Sequence, residues 1–325
     1  MWQSGASAYE ASFALVTKQA ANALLDAAGM HLTRAMAISI VEKKPLESRQ
    51  GGGKLLDVAT GTGVIAAQAA ARGAEEVVAL DFSTAMLSQA QPVADAHPCV
   101  TLMEGDAMAL PLPDASFDSV VIGFGLLHLP HPDLALKEAH RVLKPGGKLS
   151  FSVWQSPEHS AGMRILQDAI ARHGNPGVSL PDVDGAPPLP FFHFACQANA
   201  IAALVRAGFG QAACSYEEVP IAAALRDEHE LFGMFRTATA RTRALLELQS
   251  AQQLAAIEEA IAHELRENFK GAWYQGVSRQ SGGTKPGCDA YMSDITTGKG
   301  PIVSFDGRRS IMVPMPAVVA AATKS

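Results

Sequence analysis

Between Lys54 and Ala71 the chain reads KLLDVATGTGVIAAQAAA. A short apolar run, Leu55, Leu56 and Val58, is interrupted by the single carboxylate of Asp57. It then passes through Gly61 and Gly63 into an alanine-rich stretch of high helix propensity. Strand, tight turn and helix are expected in that order. Glycines at such a turn let the backbone approach a ligand closely, and the unpaired amides opening the helix offer it a partial positive charge. Gly61-Thr62-Gly63-Val64-Ile65-Ala66 also satisfies the relaxed dinucleotide fingerprint G-x-G-x-x-G/A. A nicotinamide or flavin oxidoreductase is therefore a rival reading from the outset.

The following residues supply what separates the rivals. Glu76 to Leu80 is a second apolar run ending on Asp81, about 20 residues past the glycines, where a doubly wound fold places the acid that meets a ribose diol. Both readings expect that acid. A third strand, Val100 to Glu104, runs into Gly105-Asp106-Ala107, and Phe117 to Ile122 is a fourth. Leu134 to Leu143 reads as a helix, and Lys144-Pro145-Gly146-Gly147 as a turn into a strand over Lys148 to Trp154.

Together the blocks DVATGTG, VVALDFSTAML, EGDAMALPLPDASFDSVVIGFGLLHL and EAHRVLKPGGKLSFSVW resemble the class I S-adenosylmethionine-dependent methyltransferases. The resemblance is to the branch of ubiquinone and menaquinone C-methyltransferases and many small-molecule methyltransferases, and covers residues 50 to 155 closely. It implies an α/β fold, a doubly wound, mostly parallel seven-stranded sheet with a helical cap over its carboxyl edge. Three segments are expected: an N-terminal helical lid over 1–50, a cofactor-binding core over 51–155, and cap helices with the last two strands over 156–325.

The same resemblance implies the cofactor and its contacts. S-adenosyl-L-methionine presents an amino acid end, a sulfonium, a ribose diol and an adenine. Asp57 would meet the amino acid end, directly or through water, with Ala59, Gly61 and Gly63 lining the same side. Asp81 would accept from the diol, Phe82 and Met86 would wall the adenine, Asp106 would meet its amino group and the Ala107 amide a ring nitrogen. Gly123 and Phe124 would reach the donor through backbone, since many relatives carry a polar residue near Gly123 and this chain does not.

The substrate side is less sharply drawn. Tyr9 to Gly29 carries Phe13, Val16, Ala20, Leu24 and Ala27 at helical spacing, with Gly29 as a stop. That helix either packs on the domain or, as the resemblance implies, closes over the site and brings Tyr9 and Phe13 to it. Thr33 to Glu42 reads as a second helix. Ser160 to His173, Asn199 to Gly208, and Arg226 through Phe269 read as helices, with a strand over Ala212 to Pro220. Leu231, Phe232, Met234 and Phe235 are plain core or, for Phe232 and Phe235, pocket wall. Trp154, Phe191, Phe192, His159 and His193 are within reach of the pocket mouth. Gly271 to Arg309 has no period, Tyr291 and Asp294 fall in it, and Ser310 to Pro314 is expected as a final antiparallel strand at the sheet edge.

The chemistry expected is in-line displacement at the methyl carbon, helped mainly by positioning and exclusion of water. A hydroxyl or carboxylic acid acceptor would need a neutral His as base, and His128, His159 and His193 are the candidates in that order. No acidic or His cluster has metal-ligand spacing, so no metal is expected. With 325 residues, 48% hydrophobic and 18% charged, the chain has the material for a sizeable core. Its net charge of −6 and scattered Lys and Arg argue against a nucleic-acid footprint. Cys99, Cys196, Cys214 and Cys288 lie far apart, with neither zinc nor disulfide spacing. Without an export signal or an apolar run of membrane-spanning length, a cytoplasmic location is the default. The expected partner is a small-molecule acceptor, with a homodimer left open. A protein that keeps the cofactor without transferring methyl is the second functional reading, and the nicotinamide oxidoreductase the third.

Overall fold

The computed structural model describes residues 6–31, 52–179, 189–269 and 311–325. The helix expected over Thr33 to Glu42, the segment Gly271 to Arg309, and most of Gly174 to Pro190 lie outside the described residues.

In chain order the described helices are α1 (Ala6–Ala11), α2 (Phe13–Thr17), α3 (Ala21–Ala27), α4 (Val64–Ala71), α5 (Thr84–Ala96), α6 (Pro132–Val142), α7 (Ala161–His173), α8 (Gln197–Arg206), α9 (Glu230–Ala238), α10 (Ala240–Glu247) and α11 (Ala251–Asn268). The strands are β1 (Lys54–Val58), β2 (Glu76–Asp81), β3 (Val100–Glu104), β4 (Phe117–Gly123), β5 (Leu143–Trp154), β6 (Cys214–Val219), β7 (Ala222–Leu225), β8 (Ile311–Pro314) and β9 (Ala317–Thr323). Seven form one sheet in the order β3-β2-β1-β4-β5-β9-β6, whose first five members run parallel. Strand β9 is antiparallel to both β5 and β6. The expected doubly wound, seven-stranded, mostly parallel sheet is therefore what the chain forms.

Continuous apolar runs explain why this sheet is buried on both faces. Along β1, Leu56 and Val58 pack into the larger core cluster while Leu55 packs into the second, and β2 divides Val78 and Leu80 from Val77 and Ala79 in the same way. Helices α3 and α4 supply Leu24, Leu25, Ala66 and Ala69 to the second cluster. On the opposite face α6 and α8 contribute Leu136, Ala139, Ala203 and Leu204. Strand order reverses beside β1, between β2 and β4, which opens a crevice at the carboxyl ends of these strands.

Two expectations about elements are corrected. Tyr9 to Gly29 is not one helix: α1 and α2 break at Ser12, whose hydroxyl turns back to the Ala8 carbonyl at 2.6 Å, and a short 3-10 turn over Lys18–Ala20 precedes α3. A serine hydroxyl that bonds backward competes with the helical ladder. The stop at Gly29 is where it was expected, with φ of +84°. The second correction concerns the C-terminal strand. Residues 311–314 pair with β7 in a separate two-stranded sheet, and β9, beginning three residues later, enters the main sheet between β5 and β6. Alanine-rich Ala317-Val318-Val319-Ala320-Ala321-Ala322 is buried almost throughout, as an interior strand requires, and β6 takes the edge instead.

The N-terminal helices are fastened to the sheet through α3. Ser150 Oγ donates to the Leu24 carbonyl and Ser119 Oγ to the Ala28 carbonyl, both at 2.8 Å and both buried. Arg72, its side chain only 3% exposed, donates to Asp26 and to the Asn22 side chain. The Ser119 bond meets a carbonyl just past the end of α3, and together these contacts tie α3 to β4, β5 and the end of α4.

Candidate active site

A cavity of about 340 Å³ follows the carboxyl edge of the sheet from the end of β3 to the end of β5. It lies within the size range of small-molecule and cofactor sites. Its floor is made by the strand ends: Ala59 to Thr62 after β1, Asp81 and Phe82 after β2, Asp106 and Ala107 after β3, Gly123 to Gly125 after β4, and Trp154 closing β5. Tyr9 and Phe13 from the N-terminal helices, and Thr239 to Arg241 where α9 meets α10, form the roof. Among the described N-terminal residues, Thr17, Lys18, Ala20, Ala21 and Leu24 line it as well.

Two of the floor residues are strained. Ala59 and Phe124 adopt φ of +55° and +54° without being glycine, at a cost of about 1–2 kcal/mol each. They end β1 and β4, on the two sides of the crevice, and strain held in this way clusters at ligand sites. Phe124 is kept there by its amide, which donates to the Ser152 carbonyl at 3.0 Å. Gly61 has φ of +58°, and a Cβ added to it would meet nothing within 4 Å. Its missing side chain leaves open space on the cavity floor. Neighbouring Thr62 also lines the cavity, and its buried hydroxyl has no hydrogen-bond partner among the described residues.

Asp81 is positioned by two amides. Gly61 N donates to Oδ2 and Ser83 N to Oδ1, each at 2.9 Å. Four lone-pair sites on a carboxylate leave room for two more donors, such as a vicinal diol. Burial raises its pKa, against the lowering effect of these amides. Asp106 receives Met108 N at 2.8 Å and is exposed at the far end. The loop behind it is clamped by Arg141, which donates to the carbonyls of Leu110 and Leu112 while pairing with Glu138 and Asp114. Phe82 is 56% exposed and Met86 3%, so an open apolar flap faces a buried apolar wall beside Asp81.

Asp57 does not lie on the cavity wall, contrary to the sequence expectation. It shares a face of β1 with Leu55 and points under α4, where Oδ2 accepts from Thr60 Oγ1 at 2.6 Å and from Ala66 N at 3.1 Å. The carboxyl thus braces the turn that carries Gly61 and Gly63 from behind. Oδ1 is buried without a partner among the described residues, and burial pushes the group up to about 7 despite both donors. A carboxyl whose pKa rises on folding contributes least stability where it must be ionised. Stability from this group is therefore complete below the unfolded value near 4 and declines as pH rises to about 7. Asp57→Asn, which keeps an acceptor for Thr60 and Ala66, is expected to flatten that decline. It should leave the ligand-free protein at least as stable as wild type at pH 8 by chemical denaturation, whereas a loss of stability at pH 8 equal to that at pH 5 would contradict it.

On the opposite side of the cavity an aromatic wall is built from Phe124, Trp154 and Phe13. Phe124 and Trp154 have ring centroids 4.5 Å apart, and Phe13 meets Trp154 edge-on at 5.9 Å. Phe13 in turn packs on Phe235 at 5.3 Å. Phe235 and Phe232 are themselves 1% and 2% exposed and lie off the cavity wall. Their expected pocket role is corrected: α9 turns its apolar face inward, so Phe235 lies behind Phe13 and Phe232 is buried in the core. His159, exposed, and His193, which packs edge-on against Phe194, are also away from this cavity. His128 does line it, with Phe191 edge-on at 6.3 Å. Burial, helped by nearby Arg241, pushes its pKa down to about 3. The imidazole is neutral at pH 7 yet a weak base, poorly matched to deprotonating a hydroxyl. Thr17, Lys18, Thr239 and Arg241 also line it and carried no sequence motif, while Ser152, another lining residue, falls within the block that ends on Trp154.

A crevice at the strand-order reversal, a glycine turn opening a helix, and carboxylates after β2 and β3 define a Rossmann-like methyltransferase architecture. A methyltransferase domain family model matches residues 56–151, from β1 into β5. The chain is 44% identical over 109 residues to demethylmenaquinone methyltransferase of Bacillus licheniformis, covering 33% of this chain and 47% of that protein. It is 45% identical over 121 residues to demethylmenaquinone methyltransferase of Renibacterium salmoninarum, covering 37% and 49%. The chain thus spans about half the length of the curated relatives it matches. Among solved structures, the YcgJ protein from Bacillus subtilis aligns with a TM-score of 0.44 and 18% identity, covering 89% of this chain and 97% of that one. The resemblance read from the sequence, to the menaquinone branch of the class I methyltransferases, is borne out over the core.

Proposed function

We propose that the protein transfers a methyl group from S-adenosyl-L-methionine to a small, largely apolar metabolite held against Phe124, Trp154 and Phe13. The observation that carries this is the single cavity wall on which Gly61, Asp81 and Asp106 on one side continue into the aromatic cluster on the other. The residues present fit the cofactor: Gly61 leaves a space that a Cβ would fill, and the Thr62 hydroxyl is buried without a protein partner among the described residues. Asp81 holds the ribose diol, Phe82 and Met86 enclose the adenine, Asp106 and the Ala107 amide meet its edge, and the backbone at Ala59 and Gly61 lines the amino acid end; Gly63, expected there too, is off the cavity wall, its Cβ position facing Ala90 and Val93 of α5. The bound cofactor supplies an activated methyl on a sulfonium.

What the chain itself contributes is placement and dryness. Tyr9 and Phe13 close the roof, the aromatic wall orients the acceptor, and the strained turns at Ala59 and Phe124 hold donor and acceptor sides at fixed separation. Pre-set geometry of this kind is the main lever available when the donor is already activated. No general base is assigned, since His128 is buried and only weakly basic. An acceptor atom that is already nucleophilic, such as an electron-rich aromatic carbon, suits such a site. Similarity to demethylmenaquinone methyltransferases over the core supports a quinol-type ring among the acceptors to be tried. No helix among the described residues is long and apolar enough to cross a membrane.

The test is transfer of label from methyl-labelled S-adenosylmethionine to a panel of hydroquinones, naphthols and aryl acids. Labelled product is expected with at least one aromatic acceptor. Tight binding of S-adenosylhomocysteine with no transfer to any acceptor would favour the second reading, a cofactor-binding protein that does not methylate.

A further inference from the structure

We propose that Arg241 makes the acceptor half of the cavity a site for an acidic substrate, an aromatic body that carries a carboxylate. This rests on the assignment of the cavity to methyl transfer and names a property that the acceptor must have.

Arg241 is the second residue of α10 and lines the cavity with Thr239 and Ala240. Its Nη1 donates to the Leu127 carbonyl at 2.8 Å and Nη2 to the Leu189 carbonyl at 3.2 Å. The guanidinium also stands over the Phe191 ring, 5.6 Å from its centroid. These contacts fix its position but are all to neutral groups. Arg72, Arg141, Arg206, Arg226 and Arg266 each meet a carboxylate, whereas Arg241 has none among the described residues. Two of five N–H donors are engaged by the carbonyls, which leaves three. A half-buried cation without a counter-charge is costly, and burial accordingly lowers its pKa.

Charge along the cavity is segregated. Both wall carboxylates, Asp81 and Asp106, follow β2 and β3, while Arg241 is tied to the loop after β4. The N-terminal end of α10 adds a partial positive charge on the same side. The second wall cation, Lys18, belongs to the N-terminal segment. A planar guanidinium fork matches a carboxylate bidentately, and the adjoining Phe191, Phe124 and Trp154 suit an aromatic ring.

The experiment uses the full chain saturated with S-adenosylhomocysteine, titrated calorimetrically with 2-naphthoate and with neutral 2-naphthamide of the same shape. Wild type is expected to prefer the naphthoate by about tenfold or more, the ratio typical of one charge-assisted pair. Arg241→Gln, which can still donate to one of the two carbonyls, should abolish that preference, and Arg241→Lys should keep part of it. S-adenosylhomocysteine affinity should be the same in all three proteins. Equal affinity for the two probes in wild type, or a preference that survives in Arg241→Gln, would overturn the proposal. So would a selective loss of S-adenosylhomocysteine binding in Arg241→Gln, because Arg241 would then serve the cofactor. Failure of wild type to bind S-adenosylhomocysteine at all would instead remove the methyl-transfer assignment on which the proposal stands.

Discussion

Asp81→Ala is expected to weaken binding of S-adenosylhomocysteine about a hundredfold. Two hydrogen bonds from a ribose diol to a carboxylate contribute about 1.5–3 kcal/mol each, so their joint loss is worth a hundredfold at the least. Asp81 also fixes the surrounding backbone: it receives the Gly61 and Ser83 amides, and Ser83 in turn caps α5 by accepting Met86 N at 3.3 Å. Asp81→Asn preserves the shape and one acceptor, and should lose only about tenfold. Because burial disfavours the ionised form in the ligand-free protein, neither variant should unfold readily. Calorimetric titration beside thermal melting separates the two effects. A loss below about threefold for Asp81→Ala, with the melting unchanged, would remove Asp81 from the ribose site.

Gly61→Val should weaken cofactor binding roughly a hundredfold while leaving the fold intact. The added side chain would enter open cavity space, since a Cβ there meets no atom within 4 Å. The cost to the protein is then confined to a left-handed φ of +58°, on the order of 1–2 kcal/mol. The cost to the ligand is a collision with the floor it lies on, about 3 kcal/mol or roughly a hundredfold in affinity. Gly146→Val is the matched control. Gly146 has φ of +79°, and its Cβ likewise meets nothing, but it sits in an exposed turn of β5 away from the cavity. Both variants should melt at similarly reduced temperatures, and only Gly61→Val should bind S-adenosylhomocysteine more weakly. Equal affinities in the two variants would contradict the placement of the cofactor on the Gly61 turn.

The parts of this molecule that could be read from sequence are those in which local chemistry and topology coincide. Apolar runs of strand length, each ending on a turn or a carboxylate, fix β1 to β4 and place Asp81 and Asp106 at the carboxyl edge. The alternation within Leu55-Leu56-Asp57-Val58 also contained the answer for Asp57, because a period of two puts it on the face of Leu55, under α4, and away from the turn's ligand side. The resemblance to relatives overrode that simple geometry. Phe232 and Phe235 were ambiguous for a different reason: an apolar helix face looks the same whether it meets a core or a ligand, and only the packing around α9, with Phe13 in front of Phe235, decides. Arg241 carried no signal at all. It reaches the site by tertiary packing of α10 against the loop after β4, more than a hundred residues away in sequence. The strain at Ala59 and Phe124 was equally silent, since neither is a residue type that announces a left-handed turn.

The interior position of β9 shows the same limit in the sheet. Two apolar runs follow one another near the C-terminus, and sequence alone favoured the first as the last strand. The proline pair Pro314 and Pro316 separates them, ending β8 and allowing the chain to turn before β9 enters between β5 and β6.

The most direct test of the central claim is one calorimetric comparison on the full chain, S-adenosylhomocysteine against NAD. The site described here predicts roughly micromolar binding of S-adenosylhomocysteine, lost in Asp81→Ala, and no heat from NAD. Binding of NAD with no binding of S-adenosylhomocysteine would contradict it and return the glycine turn to the dinucleotide oxidoreductases.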